Sequence, residues 1–210
     1  NTKDVVINTR KKGFTSVFDV SHMGVYETDI NSKSIVNLSK LLNLDLNKLR
    51  NNKSKLSIII DKKSNVIDDL IISNINDQKF RLVVNANNKG LFNSINYLNY
   101  SPKNIIALQG NGSQSTIESL FNINLNDIYF MENKNLDLGV EICRCGYTGE
   151  DGFEIYLDDE TGYSIFWELI KLSKYDDSLL FGGLIARDIL RLEAGLNLSG
   201  NEFGKHMNVN

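Results

Sequence analysis

The chain has little proline, cysteine, histidine or tryptophan, and each scarcity narrows what the protein can be. Its 210 residues include one Pro, two Cys, two His and one Trp. A proline-rich linker and a disulfide-dense secreted domain are therefore excluded. A metal site of the Cys/His type would need more ligands than Cys143 and Cys145 provide, and only His22 and His206 are available. We expect no metal site.

Long apolar runs and an excess of basic residues are also lacking. No stretch approaches the roughly 18 apolar residues that span a bilayer, so we expect no membrane association. A net charge of -3 excludes a broadly basic nucleic-acid-binding protein. The hydrophobic content of 41% and charged content of 23% are typical of a folded soluble protein. Asparagine occurs 28 times throughout the chain, so it does not mark loops here.

The strand and helix signals predict an α+β fold with mixed or antiparallel sheets and packed helices. Apolar spacing indicates helices over residues 33–44, 88–99, 113–121, 160–173 and 184–197. Alternating or continuous apolar runs indicate strands over residues 14–20, 23–30, 55–60, 66–76, 79–86, 105–108, 139–146 and 152–157. Residues 1–12 form a short amphipathic segment without the features of a signal or transit peptide.

Paired aspartates interrupt the apolar strand over residues 66–76. Alternation places Asp68 on the face of Val66 and Leu70, and Asp69 on the opposite face, which is also apolar. A buried carboxylate is costly unless it is paired, hydrogen-bonded or protonated. The pattern leaves two interpretations open: a loop-capping Asp beside a solvated one, or a carboxylate that lines a pocket as an acid, base or cation stabiliser.

The segment from Arg144 to Glu154 has three glycines between strand-like flanks. It is either a hairpin loop packed on Tyr147 and Phe153, or a loop whose glycines let a flat ligand approach the backbone. In the second case Tyr147 would stack on the ligand. Glu154 would then accept two parallel N–H groups of a heterocycle such as a pterin.

Arg187 and Arg191 stand four residues apart on one face of the last predicted helix. They either form ion pairs with Asp188 and Glu193, or one of them binds an anion. His22 follows the first strand, where a structural role is the more common one. The two cysteines lie two apart in one strand, which rarely suits a disulfide, so we expect reduced thiols.

Five segments together resemble the aminomethyltransferase (T-protein) family of the glycine cleavage system. They occur in the family's order and spacing, and they cover Phe18 to Gly24, Ser64 to Leu70, Leu82 to Ala86, Arg144 to Glu154 and Ile185 to Gly195. The resemblance implies two intertwined folate-binding subdomains, one formed by residues 1–28 and 103–210 and the other by residues 29–102. It also implies that the family's C-terminal barrel domain is absent from this chain.

The resemblance implies tetrahydrofolate as cosubstrate and the lipoylated H-protein as the partner that carries the aminomethyl group. The products would be methylenetetrahydrofolate, ammonia and the reduced lipoyl arm. Asp69 matches the family's catalytic carboxylate. The family's folate-binding residues match Val83, Asn85, Tyr147, Glu154 and Arg187. The protein would work in the mitochondrial matrix of a eukaryote or in the cytoplasm of a bacterium.

The chain departs from the family pattern at several positions. Ser64-Asn65 replaces Gly-Gly, Leu56 stands where a folate-lining Tyr is usual, Cys145 replaces Thr, and Ile185 replaces Gly. Three alternatives stay open: the folate domain of a dimethylglycine or sarcosine dehydrogenase, a folate-binding iron–sulfur assembly factor, and an inactive folate-binding fragment. The Cys145-Gly146-Tyr147-Thr148 sequence differs from the signature of the assembly factors, and no dinucleotide fingerprint for a flavin domain is present.

Overall fold

A computed structural model describes residues 1–136, 139–202, 204 and 207 of the chain. The helices in this part are α1 (Thr2–Thr9), α2 (Ser32–Leu41), α3 (Lys89–Asn93), α4 (Ser113–Phe121), α5 (Asp159–Leu172) and α6 (Leu184–Glu193). The strands are β1 (Thr15–Asp19), β2 (Gly24–Asp29), β3 (Ser54–Ile60), β4 (Val66–Ile75), β5 (Lys79–Val84), β6 (Asn99–Tyr100), β7 (Asn104–Gln109), β8 (Asn133–Asn135), β9 (Glu141–Cys143), β10 (Gly152–Leu157) and β11 (Leu179–Phe181). His206 lies outside the described residues.

Two compact units make up the chain, each with its own sheet. The first contains Asn1–Ser21 and Lys103–Leu196, and the second contains His22–Pro102 and Asn197–Asn210. The predicted α+β class with mixed and antiparallel sheets is confirmed. The unit boundaries differ from the predicted ones, because β2 pairs with β5 and β6 of the second unit. Residues 22–28 therefore belong with the second unit, and so do the described residues that follow Leu196.

The first unit is built on a six-stranded sheet in the order β11-β1-β7-β10-β9-β8. Among the described strand pairs of this sheet, β1 and β11 are parallel and the others are antiparallel. Helices α4 and α5 cover one face, where Ile117 and Leu169 join a core with Phe153 and Ile155 of β10. Helices α1 and α6 pack against each other beside the opposite face. Alternation along β10 therefore turns Gly152, Glu154 and Tyr156 toward the α1/α6 side.

The second unit is built on a five-stranded antiparallel sheet in the order β3-β4-β5-β2-β6. Helices α2 and α3 cover one face, where Leu38 and Phe92 pack with Ile72 and Leu82. The buried positions of β4 alternate from Val66 through Ile72 as the sequence predicts, and Asp68 falls among them. Asp69 consequently points to the face opposite the helices.

The predicted helix over residues 88–99 is the largest local difference. A 3-10 turn precedes the five-residue α3, and the chain then extends as β6. Phe92 anchors α3 against Tyr26, with ring centroids 5.5 Å apart, and Tyr100 pairs with Tyr26 across the sheet. Helix α3 ends at Asn93 with Ser94 as its C-cap, and the chain reaches β6 at Asn99. No helix in the described part of the chain is both long and apolar enough to cross a membrane.

Candidate functional site

The second unit gathers three polar side chains where β4 extends past the end of β5. Asn85 directly follows β5, and its Nδ2 donates to Oδ1 of Asp68 at 2.8 Å, to Oδ1 of Asp69 at 3.0 Å and to the Asp69 carbonyl oxygen at 3.0 Å. An amide has only two hydrogens, so these acceptors share them. The predicted residues Asp69 and Asn85 are thus brought together by one side-chain amide.

The two aspartates lie on opposite faces of β4, as strand alternation predicts, and they differ in exposure. Asp68 is fully buried, whereas Asp69 is partly exposed. Burial raises the pKa of Asp69 above its ordinary value, the negative charge of Asp68 raises it further, and the hydrogen bond from Asn85 opposes both. Asp69 therefore holds a proton more tightly than a solvated aspartate does.

An apolar row of side chains lies beside Asp69 on the same face of the sheet. Val83 of β5 pairs with Ile71 of β4, and Ile71 pairs with Leu56 of β3. Val83 is buried, but 59% of the Leu56 surface is exposed. The predicted residue Val83 therefore shares one face with Asp69. Leu56 supplies an exposed apolar surface in this row.

The first unit gathers the other predicted residues on the α1/α6 side of its sheet. Glu154 lies in the middle of β10 with only 5% of its surface exposed. The Tyr156 hydroxyl donates to its Oε2 at 2.7 Å. Its neighbours across the ladder are Ala107 and Cys143. Because Ala107 and Cys143 are small, the buried carboxylate of Glu154 has small side chains on both sides.

Arg187 stacks on Tyr147, with its guanidinium carbon 4.7 Å from the ring centroid. Burial lowers the pKa of Arg187, and Glu154 and Tyr147 oppose that effect. Within the described residues, Arg187 has no ion-pair partner, whereas Arg191 donates from Nε to Asp188 at 2.8 Å. Of the two open interpretations, the internal ion pair applies to Arg191. Arg187 is the arginine available for an anion.

The glycines of the Arg144–Glu154 segment make room for a buried glutamine. A Cβ atom on Gly146 or Gly152 would come within 1.9 Å or 2.2 Å of the Gln109 side-chain amide. Gln109 donates to the Cys145 carbonyl at 3.1 Å and accepts from the Thr148 hydroxyl at 2.9 Å. These two glycines are therefore required by packing under the loop, which supports the hairpin interpretation for them.

Arg10 joins this loop to the end of α6. Its Nη1 donates to the Thr148 carbonyl at 3.2 Å and to Glu150 at 2.9 Å, and its Nε donates to Glu193 at 3.0 Å. Its Nη2 donates to Glu193 at 2.9 Å and to the Leu190 carbonyl at 3.2 Å. All five N–H groups of the guanidinium thus have acceptors. Neither Arg10 nor Gln109 stands in a recognisable motif, so sequence reasoning missed both.

A Gly152→Ala substitution tests the packing role of the loop glycines. The added methyl group would displace Gln109 and its hydrogen bonds, so we expect a loss of about 1–3 kcal/mol in the free energy of unfolding. Urea unfolding measures it. Gly183→Ala is the control in the same unit for a methyl group that meets no neighbour, because nothing lies within 4 Å of a Cβ there; since Gly183 is the N-cap of α6, we expect it to cost about 1 kcal/mol or less. Equal stability of the two variants would contradict the packing role.

The raised pKa of Asp69 predicts a pH-dependent gain in stability for Asp69→Asn. A carboxyl group whose pKa is higher in the folded state stabilises the fold only below its unfolded-state pKa, and the contribution is lost as pH rises through the folded-state value. The Asn variant should therefore be more stable than the parent at pH 7. The difference should shrink as pH falls through the ordinary carboxyl range. Urea unfolding from pH 3 to pH 7 measures it, and a pH-independent difference would contradict the shift.

The remaining candidates carry less information. Cys143 and Cys145 are both buried and form no disulfide. A hydrogen bond with Cys143, together with burial and the nearby Glu154, raises the pKa of Cys145 well above its ordinary value. His22 is exposed in the turn after β1. Among the described residues, no group of three His, Cys, Asp or Glu side chains could hold a metal ion.

Each of the two α+β units carries an acidic side chain, Asp69 in one and Glu154 in the other, that is buried or partly buried and accepts a hydrogen bond from a neighbouring side chain. Residues 8–210 match the sequence model of the GCVT N-terminal domain family. The chain belongs to this family, and the assignment predicted from the five motifs is confirmed.

Curated relatives and a solved structure agree with this assignment. The chain is 35% identical over 209 residues to the aminomethyltransferase of Thermoanaerobacter pseudethanolicus, covering 91% of this chain and 55% of that protein. It is 34% identical to the mitochondrial aminomethyltransferase of Pisum sativum, covering 97% and 53%. A crystal structure of glycine cleavage system aminomethyltransferase T from Bartonella henselae matches with a TM-score of 0.87 at 30% identity, covering 97% and 56%. The chain thus spans about half the length of these relatives.

Proposed function

We propose that the chain is the folate-binding part of an aminomethyltransferase of the glycine cleavage system. In this reaction the lipoyl arm of the H-protein delivers an aminomethyl group, and its methylene carbon is transferred to two nitrogens of tetrahydrofolate. The carbon–sulfur and carbon–nitrogen bonds of the donor break. The two N–H protons lost from tetrahydrofolate balance the ammonia and the lipoyl thiol that leave.

The observation that carries this proposal is the buried Glu154 beside Tyr147 and Arg187. A pterin ring is flat and presents parallel N–H donors, which a fixed carboxylate accepts with charge-assisted hydrogen bonds. An aromatic ring supplies an apolar contact for such a ligand. Arg187, stacked on Tyr147 and without an ion pair in the described part of the chain, supplies a donor for a ligand oxygen or carboxylate.

Asp69 has the chemistry required at the reacting nitrogens. The attacking folate nitrogen develops positive charge as it takes up the carbon, and a nearby carboxylate stabilises that charge. The raised pKa of Asp69 also makes it a stronger base than a solvated aspartate. Asn85 fixes the carboxylate orientation through Oδ1, while Val83 and Leu56 border it with apolar surface.

The partners follow from the same proposal. The lipoylated H-protein would be the donor, and tetrahydrofolate the acceptor. The location would be the mitochondrial matrix in a eukaryote or the cytoplasm in a bacterium, since the matched relatives include mitochondrial and bacterial enzymes. A folate domain of the dimethylglycine dehydrogenase type would use the same ligand but a different donor.

The test is to mix the chain with tetrahydrofolate and aminomethyl-lipoyl H-protein, and to measure methylenetetrahydrofolate and ammonia. We expect both products in equal amounts. Folate binding without either product would indicate an inactive folate-binding fragment, and product from dimethylglycine in the presence of a dehydrogenase would favour the alternative donor. The absence of both binding and product would contradict the proposal.

A further inference from the structure

We propose that Asp68 is a positioning residue for Asp69 and Asn85, holding both through one carboxylate oxygen. The inference rests on the function proposed above for the role of Asp69. The contacts that support this inference all lie within the second unit.

The hydrogen bonds of Asp68 all converge on one oxygen. Oδ1 accepts from Asn85 Nδ2 at 2.8 Å and from the main-chain N–H of Asp69 at 3.0 Å. Within the described residues, Oδ2 is buried without a hydrogen-bond partner. A single oxygen therefore fixes both the Asn85 side chain and the backbone from which the Asp69 side chain extends.

The surroundings of Asp68 do not favour a carboxylate on grounds of stability. On its own strand it shares a face with Val66 and Leu70, and across the ladder it pairs with Ile59 of β3. Asp69 pairs with Ile58 of the same strand. No cation in the described part of the chain forms an ion pair with Asp68. A buried carboxylate with an unpartnered oxygen in an apolar wall lowers stability, and such local costs are typical of functional sites.

Asp68 lowers the stability of the fold but acts on the neighbouring Asp69. Burial is the largest cause of the raised pKa of Asp69, and the charge of Asp68 is the next. Among the described residues, no other charge contributes to this rise. Asp68 thereby makes Asp69 a better proton acceptor, and it orients the amide that holds the Asp69 carboxylate. Removing the charge and removing the acceptor should have different effects, so the two roles can be measured separately.

Asp68→Asn removes the charge and keeps the acceptor. The Asn oxygen can take the place of Oδ1, and its amide nitrogen would occupy the position where Oδ2 has no partner. We expect tetrahydrofolate affinity to change by less than about threefold. The carboxyl carbon of Asp69, followed by 13C NMR, should titrate at lower pH than in the parent chain.

Asp68→Ala removes the acceptor as well. The Asn85 amide then loses its shortest contact, and we expect tetrahydrofolate affinity to fall about tenfold. The side-chain amide signals of Asn85, identified by their loss in Asn85→Ser, should become averaged by motion. Should Asp68→Ala not fold, Asp68→Val removes the same acceptor with a side chain that suits the apolar surroundings of Val66, Leu70 and Ile59, and its affinity must fall similarly. Ser73→Ala is the matched control, because Ser73 is a buried polar residue of the same strand that bonds Ser54 instead.

Two results would overturn the inference: an unchanged Asp69 titration in Asp68→Asn, or parental Asn85 signals and affinity in Asp68→Ala. A parent chain that binds no tetrahydrofolate would contradict the proposed function instead. In that case the Asp69 titration and the Asn85 signals, which need no ligand, still decide the role of Asp68.

Discussion

Replacing Asp69 by Asn is expected to abolish aminomethyl transfer while leaving the fold and folate binding largely intact. The amide keeps the size of the carboxylate and an oxygen to accept from Asn85, but it carries no charge and accepts no proton. General-base and electrostatic effects of one carboxylate contribute about 10²- to 10⁴-fold in rate. We therefore expect a loss of that size in kcat, with KM for tetrahydrofolate changed by less than about threefold.

The control for Asp69→Asn is the same substitution at an aspartate of the same sheet that lies outside the candidate site. Asp29 is exposed at the end of β2 in the same sheet, and Asp29→Asn should leave kcat unchanged. Product formation from aminomethyl-lipoyl H-protein is the readout for both variants. Near-parental turnover by Asp69→Asn would remove Asp69 from the reaction, whatever its effect on stability.

Replacing Glu154 by Gln is expected to weaken tetrahydrofolate binding about 10- to 100-fold. The amide removes the charge from a buried acceptor and turns one oxygen into a donor, which repels the N–H edge of the pterin. A charge-assisted hydrogen bond is worth about 1.5–3 kcal/mol, which corresponds to that range of dissociation constants. Isothermal titration calorimetry measures the change.

Tyr156→Phe separates the role of Glu154 from its local support. It removes the hydroxyl that donates to Oε2 but leaves the carboxylate in place, so the affinity should fall by less than in Glu154→Gln. Because Tyr156→Phe removes a hydrogen bond to a buried carboxylate, we expect it to lose about 1–3 kcal/mol in the free energy of unfolding, and urea unfolding measures this loss separately from the affinity. Unchanged affinity in Glu154→Gln would assign this carboxylate a structural role.

The fold was predictable where short-range patterns and tertiary structure agree. The alternation along β4 and β10 and the helical spacing of α4 and α5 appear in both sequence and structure. Strands β8 and β11 were not predicted, because β8 is the polar sequence Asn-Lys-Asn and both are only three residues long. Their pairing is decided by the neighbouring strands, which a local pattern does not contain.

The candidate site was predictable as a set of residue types, but its supporting contacts were not. Residue patterns alone marked the unusual aspartate pair and the glycine-bearing loop, and the family resemblance selected Asp69, Val83 and Asn85. Neither source indicated that Gln109 passes beneath the loop or that Arg10 joins it to α6. These contacts link residues far apart in the chain, so only the tertiary structure reveals them.

The most direct test of the account is a chemical-shift map of the labelled chain during titration with tetrahydrofolate. We predict the largest changes at Asp69, Asn85, Tyr147, Glu154 and Arg187. p-Aminobenzoylglutamate, which lacks the pterin ring, should leave the signals of Tyr147 and Glu154 in place. No shifts with tetrahydrofolate, or shifts confined to other surfaces, would contradict the claim that these residues bind folate.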